Sequence, residues 1–337
     1  MANIDIFAVK PHVVSRDLKG YTVLLYGQPK TGKTTTAAKF PNSLLLAFEA
    51  GYLTIPGVMA LPINTWAEFK SVIRQLKTDE GHAAYDNIIV DTVDIAYDLC
   101  EKYICNREGV ETIGDLAYGK GYSLVSHEFD EALRTIPQIG YGLVMISHSQ
   151  DKTFKDENGQ EYNQICPTLG NRPRLIVDRM SDLIIYAHPI QEEDGTIHTV
   201  GFMRQTPRFV AGSRFKYIPD DIDFTYENLV NAIGNAIDKE AAEYDNKYVT
   251  DEPTDFPSAQ SVNEQESNFN DLINRFNELV EKIQDATGDE FGDTWAPRII
   301  EITNKYLGKG KRVSEAKPSQ AEQVELILND LIEQVGM

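Results

Sequence analysis

The clearest chemistry lies in Gly27-Gln28-Pro29-Lys30-Thr31-Gly32-Lys33-Thr34, followed directly by Thr35. This is the Gly-x-x-x-x-Gly-Lys-Thr spacing of a phosphate-binding loop. Its glycines permit a tight turn, and successive backbone N–H groups at the start of a helix point at phosphate oxygens. Lys33 is expected to bridge the outer phosphates of ATP, and the Thr34 hydroxyl to hold Mg²⁺. The flanks agree with this reading. The apolar run 23–26 predicts a strand entering the loop, and residues 35–40 predict a helix leaving it.

Two carboxylates complete the expected chemistry. Asp91 closes the run Asn87-Ile88-Ile89-Val90, so a parallel sheet can bring it beside Thr34 as a second Mg²⁺ ligand acting through water. Hydrolysis also needs a carboxylate that orients the attacking water and draws its proton. No Glu follows Asp91, and Glu49, at the end of the strand after the loop's helix, is the best candidate.

The elements that must position these residues follow from apolar patterning. The short apolar run at 43–48, the stretch 87–92 closing on an acidic residue, and the run 143–146 read as buried strands. Between them, helical spacing begins at Thr65 as N-cap with Trp66, Phe69, Val72, Ile73 and Leu76, and recurs over 93–103 and 124–136. Gly114, Gly119 and Gly121 punctuate the stretch between the last two. Alternating strands and helices imply a parallel, doubly wound sheet. A short strand is expected at 6–9, a hairpin at 152–165 turning at 156–159, further strands at 183–186 and 200–203, and a closing helix at 225–237.

The chain has 337 residues and a formal net charge of −20. That length accommodates an ATPase core at 1–237, an acidic flexible linker at 238–263 and a helical C-terminal module at 264–337. Residues 238–337 hold 22 Asp and Glu against 10 Lys and Arg. Such acidity excludes a protein that coats nucleic acid with its whole surface, leaving a local patch. The module's helices are expected around 269–283 and 295–307, with a last one opened by a Ser319/Glu322 capping box. Cys100, Cys105 and Cys166 are too few and too irregularly spaced for a disulfide framework or a zinc site, and read as structural thiols. With no secretory signal or membrane-length apolar run, the expected location is the cytoplasm, without a membrane partner.

The set of phosphate-binding loop, Glu49 in Leu46-Ala47-Phe48-Glu49-Ala50, Asp91 without a following Glu, and Ser147-His148 closing a later strand resembles the RecA/KaiC-type ATPase core. Tyr118-Gly119-Lys120-Gly121-Tyr122 and Ile146-Ser147-His148 are similar to phage RecA-like nucleotide-binding proteins, among them the Sak-group single-strand annealing ATPases. The resemblance covers about 20–237. It implies an α/β RecA-like P-loop NTPase with a mainly parallel central sheet flanked by helices, the C-terminal helical module being separate. It further implies a DNA-stimulated, single-strand-binding homo-oligomer of phage recombination or replication, with an annealing or mediator role.

On that resemblance, His148 senses the γ-phosphate, and segments 106–122 and 150–172 fall where two DNA-binding loops belong. Tyr118, Lys120 and Tyr122, then Lys152, Lys155, Arg172 and Arg174, would meet the strand. A cation from a neighbouring copy would complete the site, Arg214 being preferred over Arg204 and Arg208. An alternative remains: a nucleotide-switched protein whose C-terminal module recruits a single-strand-binding or other replication protein.

Overall fold

The structure is a computed structural model that describes residues 11–155, 158–252, 262–317 and 320–335. The strand expected at 6–9, part of the 156–159 turn and the Ser319/Glu322 capping box lie outside the described residues or side chains. The chain divides into two compact units, Met1–Ser258 and Ala259–Met337.

In the first unit the chain runs through β1 (Val14–Ser15), β2 (Thr22–Gly27), α1 (Lys33–Ala37), β3 (Ser43–Ala47), β4 (Ala60–Pro62), α2 (Trp66–Leu76), α3 (Asp79–Ala84), β5 (Asn87–Asp91), α4 (Val93–Glu108) and α5 (Lys120–Gln138). It continues with β6 (Gly142–Lys155), β7 (Glu161–Pro167), α6 (Asn171–Met180), β8 (Leu183–Gln191), β9 (Ile197–Phe202), β10 (Gly212–Ser213), β11 (Asp221–Asp223), α7 (Tyr226–Ala242) and β12 (Val249–Thr250). The main sheet has the order β11-β9-β8-β2-β6-β5-β3-β4, and every contact from β8 to β4 is parallel. The fold is that of an α/β P-loop NTPase.

Strands β2, β3 and β5 are buried throughout because helices cover both faces of the sheet. The pleat sends alternate residues to opposite cores. Leu24, Leu46, Ile88, Val90 and Met145 pack with Trp66, Phe69 and Phe129 from α2 and α5. Leu25, Leu45, Ile89, Val144 and Ile146 meet Ala37, Phe40, Leu229 and Ile233 on the α1 and α7 side. Thr65 and Glu68 form the capping box that starts α2. The three cysteines are buried and free.

Register sets the working edge. Gly27 lies opposite His148, and Asp91 opposite Ile146, with β6 between β2 and β5. The backbone N–H groups of Phe48 and Glu49 both reach the Asp91 carbonyl, at 2.7 and 3.3 Å, which brings the end of β3 over the end of β5.

Several expectations change. α1 is only Lys33–Ala37, followed by tight turns from Thr36 and Ala37 to Lys39 and Phe40. The hairpin's first arm is no separate strand: β6 runs unbroken out of the sheet and pairs with β7 from Ser149↔Pro167 to Lys155↔Glu161. The second arm is β7, and α6 follows it at 171–180, where no helix was expected. The boundary expected after residue 237 falls inside α7, which continues to Ala242, and β12 pairs in parallel with β1. Apolar residues as late as Ala241 and Val249 still pack on the core, so an acidic composition concealed the core's extent.

Lys120 and Tyr122 sit in the first turn of α5, which starts earlier than the apolar spacing indicated. Gly121 looks like a helix breaker in sequence but serves close packing: a Cβ there would lie 2.3 Å from the Ile113 carbonyl oxygen. Gly121→Ala should therefore destabilise the protein by about 1–3 kcal/mol, although helix propensity alone favours Ala by about 1 kcal/mol. A thermal melt decides the sign, with a lower Tm expected.

The second unit contains α8 (Val262–Thr287), a π-helical turn at Phe291–Trp295, α9 (Ala296–Leu307) and α10 (Ala321–Val335). Leu272, Leu279 and Ile283 bury against Ile302, Val324, Ile327 and Leu331. Among the described residues of the whole chain, no helix is long and apolar enough to cross a membrane.

Candidate functional site

The phosphate-binding loop follows β2 and turns through Lys30 and Gly32, both in the left-handed region at φ 68° and 83°. Gly27 has no alternative for a different reason. A Cβ there would stand 2.2 Å from the Ala187 carbonyl oxygen of β8. Thr31 closes the turn by donating to the Gln28 carbonyl at 3.0 Å. The buried Lys33 ammonium donates to the carbonyls of Gly27 and Gln28 at 3.0 and 2.8 Å, and burial lowers its pKa against the pull of Asp91 and Glu49.

Thr34 Oγ1 donates to Asp91 Oδ2 at 2.7 Å, which joins the loop to the end of β5. Asp91 is 1% exposed, and its Oδ1 is buried without a hydrogen-bond partner. Burial, reinforced by the Glu49 charge, pushes the Asp91 carboxyl up to about 6, against the opposing effects of Thr34, Lys33 and His148. A buried carboxylate with one oxygen unsatisfied, next to a threonine hydroxyl, is an all-oxygen donor pair suited to a hard divalent cation. The residues present therefore fit Mg²⁺.

Glu49 lies across the same cleft, half-buried, with Oε2 3.4 Å from His148 Nε2. The cleft, of about 400 Å³, is lined by Lys30, Gly32, Lys33, Thr34, Thr35, Glu49, Asp91 and His148, together with Pro29, Gly51, Thr54, Ile55 and Ile146. Thus Lys33, Thr34, Glu49, Asp91 and His148, read from distant stretches, converge on one cavity. Arg214 does not join them. It sits by the start of β8, its guanidinium held by Asp182 at 2.8 Å and the Arg179 carbonyl at 2.7 Å. Asp182 also accepts the N–H of Thr22, the first residue of β2. Arg214 is therefore at the opposite end of β2 from the phosphate-binding loop. Arg204 is likewise tied, donating to the carbonyls of Lys216 and Ile218.

The residues singled out for nucleic acid are partly assembled. Arg172, at the start of α6, stacks its guanidinium 4.0 Å from the centre of the Tyr122 ring on α5, which joins the two stretches. Lys152 reaches Asn171 beside it, and Phe154 stacks on the exposed Tyr162 across the hairpin. Tyr118 is fully exposed with φ 57°, a conformation that costs a non-glycine residue about 1 kcal/mol. The other cations are engaged: Lys155 with Glu161, Arg174 with Asp178 and Lys120 with Glu108.

Sequence reasoning missed Asp94 and Thr168 behind the cleft, and their junction with Ser147. Asp94 Oδ1 accepts from Ser147 Oγ at 3.0 Å and from Thr168 Oγ1 at 2.7 Å. No spacing signal links three segments so far apart in the chain.

A family model described as "AAA domain" matches residues 19–215. The chain is 30% identical over 335 residues to the SPbeta prophage-derived uncharacterized protein YorG of Bacillus subtilis (strain 168), covering 97% of this chain and 98% of that protein. Among solved structures, the flagellar accessory protein FlaH from Methanocaldococcus jannaschii aligns over 61% of this chain and 85% of its own, with a TM-score of 0.31 and 9% identity.

Proposed function

The chain belongs to this AAA domain family, and from that premise we propose that it is a Mg²⁺-dependent ATPase of phage DNA recombination or replication that binds single-stranded DNA as a nucleotide-dependent oligomer. The carrying observation is the contact of Thr34 with Asp91, which closes a phosphate-binding loop onto a carboxylate with a free, buried oxygen. Lys33 would hold the outer phosphates, and Thr34 with Asp91 would hold the cation. A divalent cation there supplies charge neutralisation at the phosphate oxygens. Glu49 orients water for in-line attack and takes its proton, with His148 fixing one carboxylate oxygen.

The phage setting is supported by the prophage-derived relative. Single-strand binding is supported by the Tyr122–Arg172 stack and the exposed Tyr118, since aromatic faces and guanidinium planes receive unpaired bases without regard to sequence. A RecA-like annealing or mediator role follows from that reading. In an oligomer a neighbouring copy would add a cation to the site. Arg208 suits this better than Arg214, because it is exposed, whereas the guanidinium of Arg214 is held within its own chain by Asp182 and the Arg179 carbonyl.

The ion pairs that engage Lys120, Lys155 and Arg174 favour a second reading, in which nucleotide binding recruits a replication partner through residues 264–337. Fluorescence anisotropy with a labelled single strand separates the two. Tyr122→Ala and Arg172→Ala should each weaken binding by roughly 10-fold, in a salt-dependent complex formed with Mg·ATP, and DNA should stimulate turnover in the intact protein but not in Lys33→Ala. If no complex forms with Mg·ATP present, the recruitment reading replaces the first.

A further inference from the structure

Three segments meet behind the cleft. Asp94 lies in the first turn of α4, three residues beyond Asp91. Ser147, fully buried, lies near the point where β6 leaves the sheet, beside His148. Thr168 follows β7 directly and leads through Leu169 and Gly170 into α6, where Arg172 stacks on Tyr122. One oxygen, Asp94 Oδ1, accepts from both Ser147 Oγ and Thr168 Oγ1, at 3.0 and 2.7 Å. The Thr168 N–H also donates to the His148 carbonyl at 3.0 Å, and His148 in turn touches Glu49 across the cleft at 3.4 Å. The other carboxylate oxygen of Asp94 is buried without a partner.

A helix needing only an N-terminal carboxylate would be served by one that reached its own backbone or faced solvent. Here the carboxylate, besides its contact with its own backbone N–H, commits Oδ1 to two hydroxyls from other segments, and its Oδ2 is buried without a partner. Such an arrangement carries a free-energy penalty, and its effect is mechanical: the start of α4, the exit of β6 and the approach to α6 are fastened at one atom.

We propose that Asp94 is a positioning residue that transmits occupancy of the nucleotide cleft to α6, and so sets the Arg172–Tyr122 face. It touches neither nucleotide nor metal. Any shift of His148 or of the β5–α4 junction when the cleft fills is passed to Thr168 through these bonds and reaches α6 within three residues. The inference deepens the proposed function by supplying the link between cleft and nucleic-acid face. Its first step requires only that nucleotide binds.

Hydrogen–deuterium exchange of the peptides spanning residues 165–180, with and without Mg²⁺ and a non-hydrolysable ATP analogue, tests it. The intact protein should show nucleotide-dependent protection there. Thr168→Val, nearly isosteric, and Asp94→Ala should lose that protection while still binding the analogue in a direct titration. Asp94→Asn, which keeps an accepting oxygen, should retain it, a rescue that a merely structural loss of stability would not produce. Protection that persists undiminished in Thr168→Val and Asp94→Ala overturns the proposal. So does an intact protein that binds the analogue with no change at 165–180. Single-strand binding on the same samples keeps the two readings apart: a response that depends on Asp94 without any DNA complex removes the nucleic-acid reading and leaves the relay standing.

Discussion

ATP turnover should fall by roughly 10²–10⁴-fold in Glu49→Gln, with nucleotide affinity retained. Glu49 shares the cleft with Lys33 and Thr34 but makes no hydrogen bond to either; its contact is His148 Nε2 at 3.4 Å. Phosphate and cation binding therefore rest on other side chains. Gln preserves shape and can still meet the imidazole, but it cannot accept a proton from water. Asp91 is the other carboxylate in the cleft lining, but both its oxygens are committed: Oδ2 accepts from Thr34, and the buried Oδ1 is the one assigned to the cation. Steady-state turnover and binding of a fluorescent ATP analogue, measured side by side, decide the matter. A Gln variant that keeps kcat within about 10-fold of the intact enzyme would exclude Glu49 as the general base.

The cleft was legible in the sequence because strand ends are legible. Runs such as Ile88-Ile89-Val90 leave little freedom: buried on both faces, they must be central strands, and the polar residues that close them must emerge at one edge. Glu49, Asp91 and His148 stand out in this way. Whatever depends on contacts between remote segments was not legible. α6 carries three arginines and a proline in ten residues and buries only Pro173, Val177 and Met180, too thin an apolar stripe to show as a helix. Gly121 has the composition of a loop and the packing role of a helix. Arg214 stands out by its charge, but its partner Asp182 precedes β8 and shows itself only once the register is known. The Asp94 junction joins α4, β6 and the approach to α6, and nothing in the periodicity of any one of them points to the others.

Asp91→Asn should abolish Mg²⁺-dependent turnover and, at neutral pH without nucleotide, make the protein more stable. The sign follows from the Asp91 carboxyl, raised from 3.8 to about 6 chiefly by burial. A carboxyl whose pKa is higher folded than unfolded contributes its full stability below the unfolded value, where it is protonated in both states. That contribution is lost as pH rises through about 4 and on past 6. At pH 7–8 the folded protein holds an ionised carboxylate that is almost wholly out of water, at a penalty of roughly 2–3 kcal/mol. Asn keeps an oxygen for the Thr34 hydroxyl and carries no charge to desolvate. The Asn variant should therefore melt about 5 °C higher at pH 8, with the advantage disappearing near pH 4. Adding Mg²⁺ and nucleotide should reverse the ranking. The intact site gains the cation's compensation for its unpartnered oxygen and is stabilised by linkage, whereas the neutral side chain gains far less. Scanning calorimetry at both pH values, with and without Mg·ATP analogue, reads all four states. A lower Tm for Asn at pH 8 in the nucleotide-free protein would mean that Asp91 is already compensated within the fold, and the assignment of its free oxygen to a cation would fall with that result.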